Sequence, residues 1–209
     1  MFVLTADQRA STVSGERVEE LLASLGDWSR RWRDEIALPL ERTVGDEVQV
    51  VLTAPDAAVD LALRLMREGD WSVGLGAGAV NLPLGASSRA SSGPAFVWAR
   101  TAVERARGKG EPVPLVVGGA DEAAAAEATA VLQLLGAVVR RRSQAGWEVA
   151  DALAGGATRK ATAASLRISA QAVTQRAQAA LLDEEAAVRP VAARLLLAAS
   201  QQRDTVPTP

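Results

Sequence analysis

The chain has 209 residues, 48% of them apolar, and a formal net charge of −2. That is enough for one large domain or two small ones with real cores. There is no cysteine, which excludes a disulfide framework and a thiolate metal site, and no histidine, which removes the usual general base and the usual zinc ligand. Met1-Phe2-Val3-Leu4 is too short and too uncharged for a signal peptide, and no apolar run approaches a membrane span, so a cytoplasmic setting without a membrane partner is expected.

In chain order, Phe2–Thr5 reads as a short strand that ends at Ala6-Asp7-Gln8-Arg9. A long helical pattern follows over about Gly15–Ile36, with Val18, Leu21, Leu22, Leu25, Trp28 and Trp32 on its apolar face and Pro39 ending it. Leu40–Val44 and Val48–Leu52 read as two strands of a hairpin around Gly45-Asp46-Glu47. Pro55 then opens a helix over Asp56–Arg67.

Trp71–Val80 reads as a strand in which Gly74, Gly76 and Gly78 fall on alternate positions, so much of one face lacks side chains. Something must approach that face closely. A packed helix is the first expectation and a ligand the second. The glycine spacing is not a dinucleotide fingerprint. Pro83–Gly93 is a polar loop carrying Arg89, Pro94–Arg107 is helical, and Pro112–Val117 is a final strand.

The first six of these elements run βαββαβ, the ferredoxin-like arrangement, which predicts an α+β domain with an antiparallel sheet and helices on one face. After Gly118-Gly119, Asp121–Arg142 is an alanine-rich helix ending in three arginines, read as a linker that also pairs with its copy in a homodimer. Residues 1–118, 119–143 and 144–200 are therefore taken as a sheet domain, a linker helix and an all-α domain, with 201–209 a frayed tail. Trp147, Ala150 and Leu153 are expected to face inward in the all-α domain.

Thr158–Ala180 carries the clearest functional pattern. It reads as two short helices, Lys160–Leu166 and Ala170–Leu181, joined by a tight turn. Val173, Ala177, Ala180 and Leu181 form an apolar stripe, and Ser169 stands where a hydroxyl caps the second helix. Such a helix-turn-helix places its second helix in the major groove of double-stranded DNA. Between Thr158 and Arg176 the charged residues are Arg159, Lys160, Arg167 and Arg176, with no acid among them. Residues 140–209 hold ten Lys/Arg against six Asp/Glu, so the basic portion of the chain is the portion with this motif. Arg159, Lys160 and Arg167 suit phosphates; Gln171, Thr174, Gln175 and Arg176 suit base edges. Arg167 departs from the glycine often found in such turns. Asp183-Glu184-Glu185 predicts a direct passage into a closing helix over Glu184–Ala199 rather than a β-wing.

Asp7 after the first strand, Gly45-Asp46-Glu47 in the hairpin, the glycine-rich strand, and Gly93-Pro94-Ala95 leading to Ala99-Arg100 occur in an order that resembles the SatD family. That family looks like a relative of the nucleotidyl cyclase and GGDEF domains. The resemblance covers about residues 1–117, and relatives of this type, which often carry a helix-turn-helix afterwards, are commonly labelled MarR-like. It implies that Asp7 and Asp46, with help from Glu47, hold Mg2+ against nucleotide phosphates. Two departures count against catalysis. Phe96 stands where cyclases use an asparagine four residues before the arginine matched by Arg100, and Val44 precedes Gly45 where GGDEF enzymes have a second glycine. Loss of a positioned transition-state donor typically costs about a hundredfold or more in rate. The expectation is therefore a non-enzymatic, dimeric DNA-binding regulator. Its degenerate cyclase-like half would use Arg89, Arg100 and Asn81 to bind an anionic effector such as a nucleotide or cyclic dinucleotide. The alternative is a metal-dependent cyclase or hydrolase regulated by the C-terminal half.

Overall fold

A computed structural model describes residues 1–9 and 17–202. Gly15, Glu16 and most of the expected tail lie outside the described residues. The protein is α+β. Its sheet has five strands: β1 (Phe2–Gln8), β2 (Ile36–Arg42), β3 (Glu47–Leu52), β4 (Trp71–Ala77) and β5 (Leu115–Gly119), in the order β2-β3-β1-β4-β5. β1 runs antiparallel to both β3 and β4, while β4 and β5 are parallel. The helices are α1 (Val18–Ser24), α2 (Gly26–Arg31), α3 (Pro55–Glu68), α4 (Pro94–Arg107), α5 (Glu122–Arg141), α6 (Gln144–Ala154), α7 (Arg159–Leu166), α8 (Ala170–Ala179) and α9 (Leu182–Ala199).

The sheet is thus mixed, not antiparallel as expected, and helices cover both of its faces instead of one. A parallel pair requires a crossover, and α4 is that crossover between β4 and β5. Phe2, Leu4 and Ala6 of β1 face the main core with α1, α2, α3, α5 and α9, whereas Val3 faces Val51, Ala95 and Ala99 beneath α4. The alternate glycines of β4 are explained by this packing. A Cβ on Gly76 would lie 1.9 Å from the Ala95 carbonyl oxygen, and one on Gly74 would lie 2.3 Å from the Val103 nitrogen. Ala95, Ala99, Ala102 and Ala106 supply the matching small face of α4. A helix, not a ligand, approaches these glycines.

Three local expectations change. The single helix expected up to Ile36 is two short helices and a 3-10 turn over Arg33–Glu35. Gly26 follows the first, and the Ser24 hydroxyl donates back to the Leu21 carbonyl at 2.8 Å, both of which weaken helix continuation. The apolar spacing survives the break: Val18, Leu21, Leu25 and Trp28 are all buried. Pro39 lies inside β2, not at a helix end; β2 is an edge strand, where a missing N–H is tolerated. Val44 is 67% exposed in the turn and does not belong to the strand.

The expected linker helix is part of the sheet-bearing body. Ala124, Ala128, Leu132, Leu135 and Val139 of α5 are buried in the main core. The Val117 backbone N–H donates to Thr129 Oγ1 at 3.0 Å, and Gln133 Nε2 donates to the Leu115 carbonyl at 3.1 Å, pinning α5 along β5. Contrary to the expectation that no apolar run approaches a membrane span, α5 is by length and composition apolar enough to cross one; its buried face is the wall of this core.

The closing helix α9 also belongs to both halves. Its first residue, Leu182, packs on the helix-turn-helix core, while Ala192, Ala193, Leu196 and Ala199 enter the main core. Where they meet lies a buried ionic cluster. Arg142, with its side chain 3% exposed, pairs with Glu185, and Arg189 pairs with both Glu185 and Asp60 at 2.7 Å. Trp32 Nε1 donates to Asp60 at 3.0 Å. Burial alone would raise the Asp60 carboxyl, but the hydrogen bonds from Trp32 and Arg189 outweigh it and hold the group below the usual carboxylate range. Arg142 also donates to the Ala180 carbonyl at 2.9 Å and lies 4.4 Å from the Trp147 ring centroid, with Arg67 3.9 Å from the same centroid. Trp147 therefore faces the sheet-bearing body. Val149, not Trp147, is the buried α6 residue of the helix-turn-helix core.

Gly76→Ala is expected to cost about 2–3 kcal/mol or more in urea unfolding, because backbone must move to admit the methyl group. Gly110→Ala, with open space around it, should stay within about 0.5 kcal/mol of the parent. Arg142→Met should lose about 1–3 kcal/mol, since it removes one of the two guanidinium partners of the buried Glu185 carboxylate, Arg189 keeping the other, and takes the Arg142 donor from the Ala180 carbonyl.

Candidate nucleic-acid interface

The two helices α7 and α8 are built by local chemistry. Thr158 Oγ1 accepts from the Ala161 N–H at 3.2 Å, and Ser169 Oγ accepts from the Ala172 N–H at 3.1 Å, so each helix has a side-chain cap. Arg167 ends α7 in the left-handed region at φ 54°, the conformation for which such turns favour glycine. The Ile168 N–H closes the turn on the Ala163 carbonyl at 3.0 Å. Val173 and Ala177 are buried against Val149 and Ala163, with Leu153, Leu166, Ile168 and Leu182 around them. Ala180 is buried as expected, but Leu181 is 40% exposed and left-handed at φ 53°: α8 ends at Ala179, and Leu181 is the joint into α9. No strand intervenes between α8 and α9.

Gln171 and Gln175 are exposed on α8, with Thr174 and Arg176 half-buried. The Thr174 hydroxyl donates to the Ala170 carbonyl of its own helix at 3.1 Å. Arg159, Lys160, Arg167 and Ser169 are exposed around them. Their charges are not equivalent. Arg159 pairs with Asp183 at 3.4 Å and Arg176 with Glu148 at 3.2 Å. Among the described residues Lys160 and Arg167 have no ion-pair partner, so they carry the uncompensated positive charge of this surface. Glu148 and Asp183 lie outside Thr158–Ala180, so that stretch by itself shows more free positive charge than the folded surface carries.

At the other candidate site, the β-register sets Asp7 opposite Glu47 on one side and Ser72 on the other. Asp7 is buried, and Arg107 reaches its carboxylate at 3.2 Å. Glu47 accepts from the Thr43 hydroxyl at 2.5 Å and lies 3.9 Å from Arg100. Asp46 sits half-buried in the turn, where its carbonyl accepts from the Gln8 N–H at 3.2 Å. Arg89 bends back to donate to the Thr43 carbonyl at 3.0 Å. Ser72 is fully buried, and its hydroxyl has no hydrogen-bond partner among the described residues. Asp7, Asp46, Glu47, Arg89 and Arg100 thus share one edge of the sheet. Asn81 does not: it follows the far end of β4 and donates to Ser92 Oγ at 3.0 Å. Phe96 packs with Val3, Leu38 and Val51. Arg107 is the member sequence reading missed, although it stands seven residues after Arg100 on the same helix face.

Carboxylates at this edge are the donor type that magnesium takes. Yet the Asp7 carboxylate already holds the Arg107 guanidinium, and Glu47 holds Thr43. Among the described residues no three such side chains are arranged to hold a metal ion. The residues fit an acidic cluster neutralised by arginine better than a divalent-cation site. Two surface cavities, of about 230 and 200 Å³, are lined elsewhere, by residues including Arg17 and Trp71 in one and Leu134 and Leu181 in the other.

No family model, no curated protein and no solved structure matches the chain.

Burial raises the Asp7 carboxyl more than Arg107 lowers it, and the charges of Asp46 and Glu47 add to the rise. The neutral acid therefore favours the fold, and that contribution is lost as pH rises through the folded value. Asp7→Asn is expected to be more resistant to urea than the parent at pH 7, with the difference closing below about pH 4, where the acid is protonated in both states. A variant less stable than the parent at pH 7 would reverse this reading of the Asp7 edge.

Proposed function

We propose that the chain is a DNA-binding transcriptional regulator whose α7–α8 helix-turn-helix reads duplex DNA. The observation that carries this reading is the division of α8 into a buried apolar stripe, Val173 and Ala177, and an outward face bearing Gln171, Thr174 and Gln175 beside Lys160 and Arg167, which have no ion-pair partner among the described residues. An ordinary helical hairpin also has a solvated face. It has no reason to combine two capped helices, a tight left-handed turn and an uncompensated cation pair on one surface.

In the same reading the sheet-bearing half is a degenerate relative of nucleotidyl cyclase domains, as the SatD-like motif order suggests. The order β2-β3-β1-β4 of the first four strands is the order a ferredoxin-like βαββαβ core requires, which supports it. Its role is to pair two copies and to bind an anionic effector, a nucleotide or cyclic dinucleotide, at the edge that carries Arg89, Arg100 and Arg107.

A second reading, a metal-dependent cyclase or hydrolase, draws on the convergence of Asp7, Asp46 and Glu47. It is the weaker one, because Arg107 occupies Asp7 and Phe96 is engaged in apolar packing. Turnover of ATP or GTP by the purified protein, abolished in Asp46→Asn, would favour it.

Binding of fluorescent duplexes selected from a random pool tests the first reading. Lys160→Glu is expected to weaken all duplexes alike and to reduce the dependence of log affinity on log salt by about one unit or more. Gln171→Ala is expected to relax preference at one base position by about 1–3 kcal/mol while leaving non-specific binding unchanged. Equal affinity of parent and Lys160→Glu for every duplex would overturn the proposal.

A further inference from the structure

The outward face of α5 carries an exposed apolar centre. Leu134 is 63% exposed at its centre, next to a groove of about 200 Å³ lined by Ala137, Val138, Arg141 and the exposed Leu181. Along this face Glu127, Ala130, Leu134, Val138 and Arg141 occupy positions −7, −4, 0, +4 and +7 about Leu134. At about 100° per residue, all five lie within roughly 40° of one line along the helix. Glu127 and Arg141 are exposed and have no ion-pair partner among the described residues.

We propose that this face binds a second copy of the chain, antiparallel, about a two-fold axis through Leu134. The pattern is self-complementary only in that orientation. Leu134 then meets Leu134, the small Ala130 of each copy meets Val138 of the other, and Glu127 of each copy meets Arg141 of the other. A parallel pairing sets Glu127 against Glu127 and Arg141 against Arg141. Alternation of large and small residues lets the helices approach closely, and the two charge pairs set the register. A bilayer is a poorer occupant, because Glu127 would stand uncompensated on the buried stripe.

The arrangement gives the pairing a purpose if α8 reads DNA. The Arg142 ends of the two α5 helices would stand roughly 24 Å apart along the helix direction, at about 1.5 Å per residue. Each α8 is tied to the nearer end through the Arg142 to Ala180 hydrogen bond. A two-fold axis keeps both recognition helices at one height, as paired half-sites about one turn of DNA apart require. The proposal rests on the DNA-binding reading for this consequence alone.

Sedimentation of the full chain without DNA supplies the test. The parent is expected to be a dimer. Glu127→Arg and Arg141→Glu should each weaken association roughly tenfold, because each reverses two symmetry-related pairs, and the double variant should restore it. The chain has no cysteine, so Leu134→Cys introduces one thiol per copy. It should cross-link to itself on mild oxidation, while Ala123→Cys, an exposed position far from the axis, should not. A monomeric parent, cross-linking at both positions, or a double variant as weak as the singles would overturn the proposal. Since the mass is read without DNA, each of these results leaves the DNA affinity of α7–α8 to stand or fall separately.

Discussion

The Arg142 guanidinium ties the proposed recognition helix to the body of the protein. It leaves the end of α5, pairs with Glu185 of α9, lies over Trp147 of α6 and donates to the carbonyl of Ala180 just beyond α8. Few side chains could do all of this at once. A planar fork of five donors can satisfy a carboxylate and a carbonyl together while its face remains free to stack on an indole. A guanidinium so thoroughly buried is tolerable only because each of these contacts compensates for lost water.

This cluster determines how the two ends of the chain are related. α9 is shared: its start closes the helix-turn-helix core and its end fills the main core. Its C-terminus also reaches the β5–α5 junction, where the Ala199 carbonyl accepts from the Asp121 N–H at 3.1 Å. The orientation of α8 is thereby set against the sheet by packing and by ion pairs. A contiguous chain of contacts runs from Trp32, just before β2, through Asp60, Arg189 and Glu185 to Arg142 and Ala180. Contiguity of this kind becomes allostery only where both ends bias a second arrangement of the same groups. The hairpin that follows β2 carries Asp46 and borders the edge that holds Arg89 and Arg100.

Much of this was legible before folding. The cap at Ser169, the stripe of Val173 and Ala177, and the passage into α9 without a wing all followed from local rules. So did the helix over Pro94–Arg107 and the close approach demanded by Gly74 and Gly76. The errors share a cause. An alanine-rich helix after a double glycine looks like a connector, because composition does not reveal what covers its faces; Leu132 and Leu135 prove to be core. Sequence proximity points Trp147 to the nearer core, whereas its partners, Arg67 and Arg142, come from the other half. At the acidic edge, Asp7 and Glu47 could be suspected singly, but Arg107 becomes their neighbour only when α4 lies across the sheet.

By itself the sequence determined what short-range chemistry can specify: where helices begin and end, which residues of α8 face inward, and that no cysteine or histidine chemistry is available. The tertiary structure alone decided which charges remain uncompensated, which sheet face each helix covers, and that one closing helix serves two cores. The physical reason is range. Capping and periodicity act over a few residues along the chain, whereas ion pairing and burial depend on residues such as Asp60 and Arg189, far apart in sequence and adjacent only in the fold.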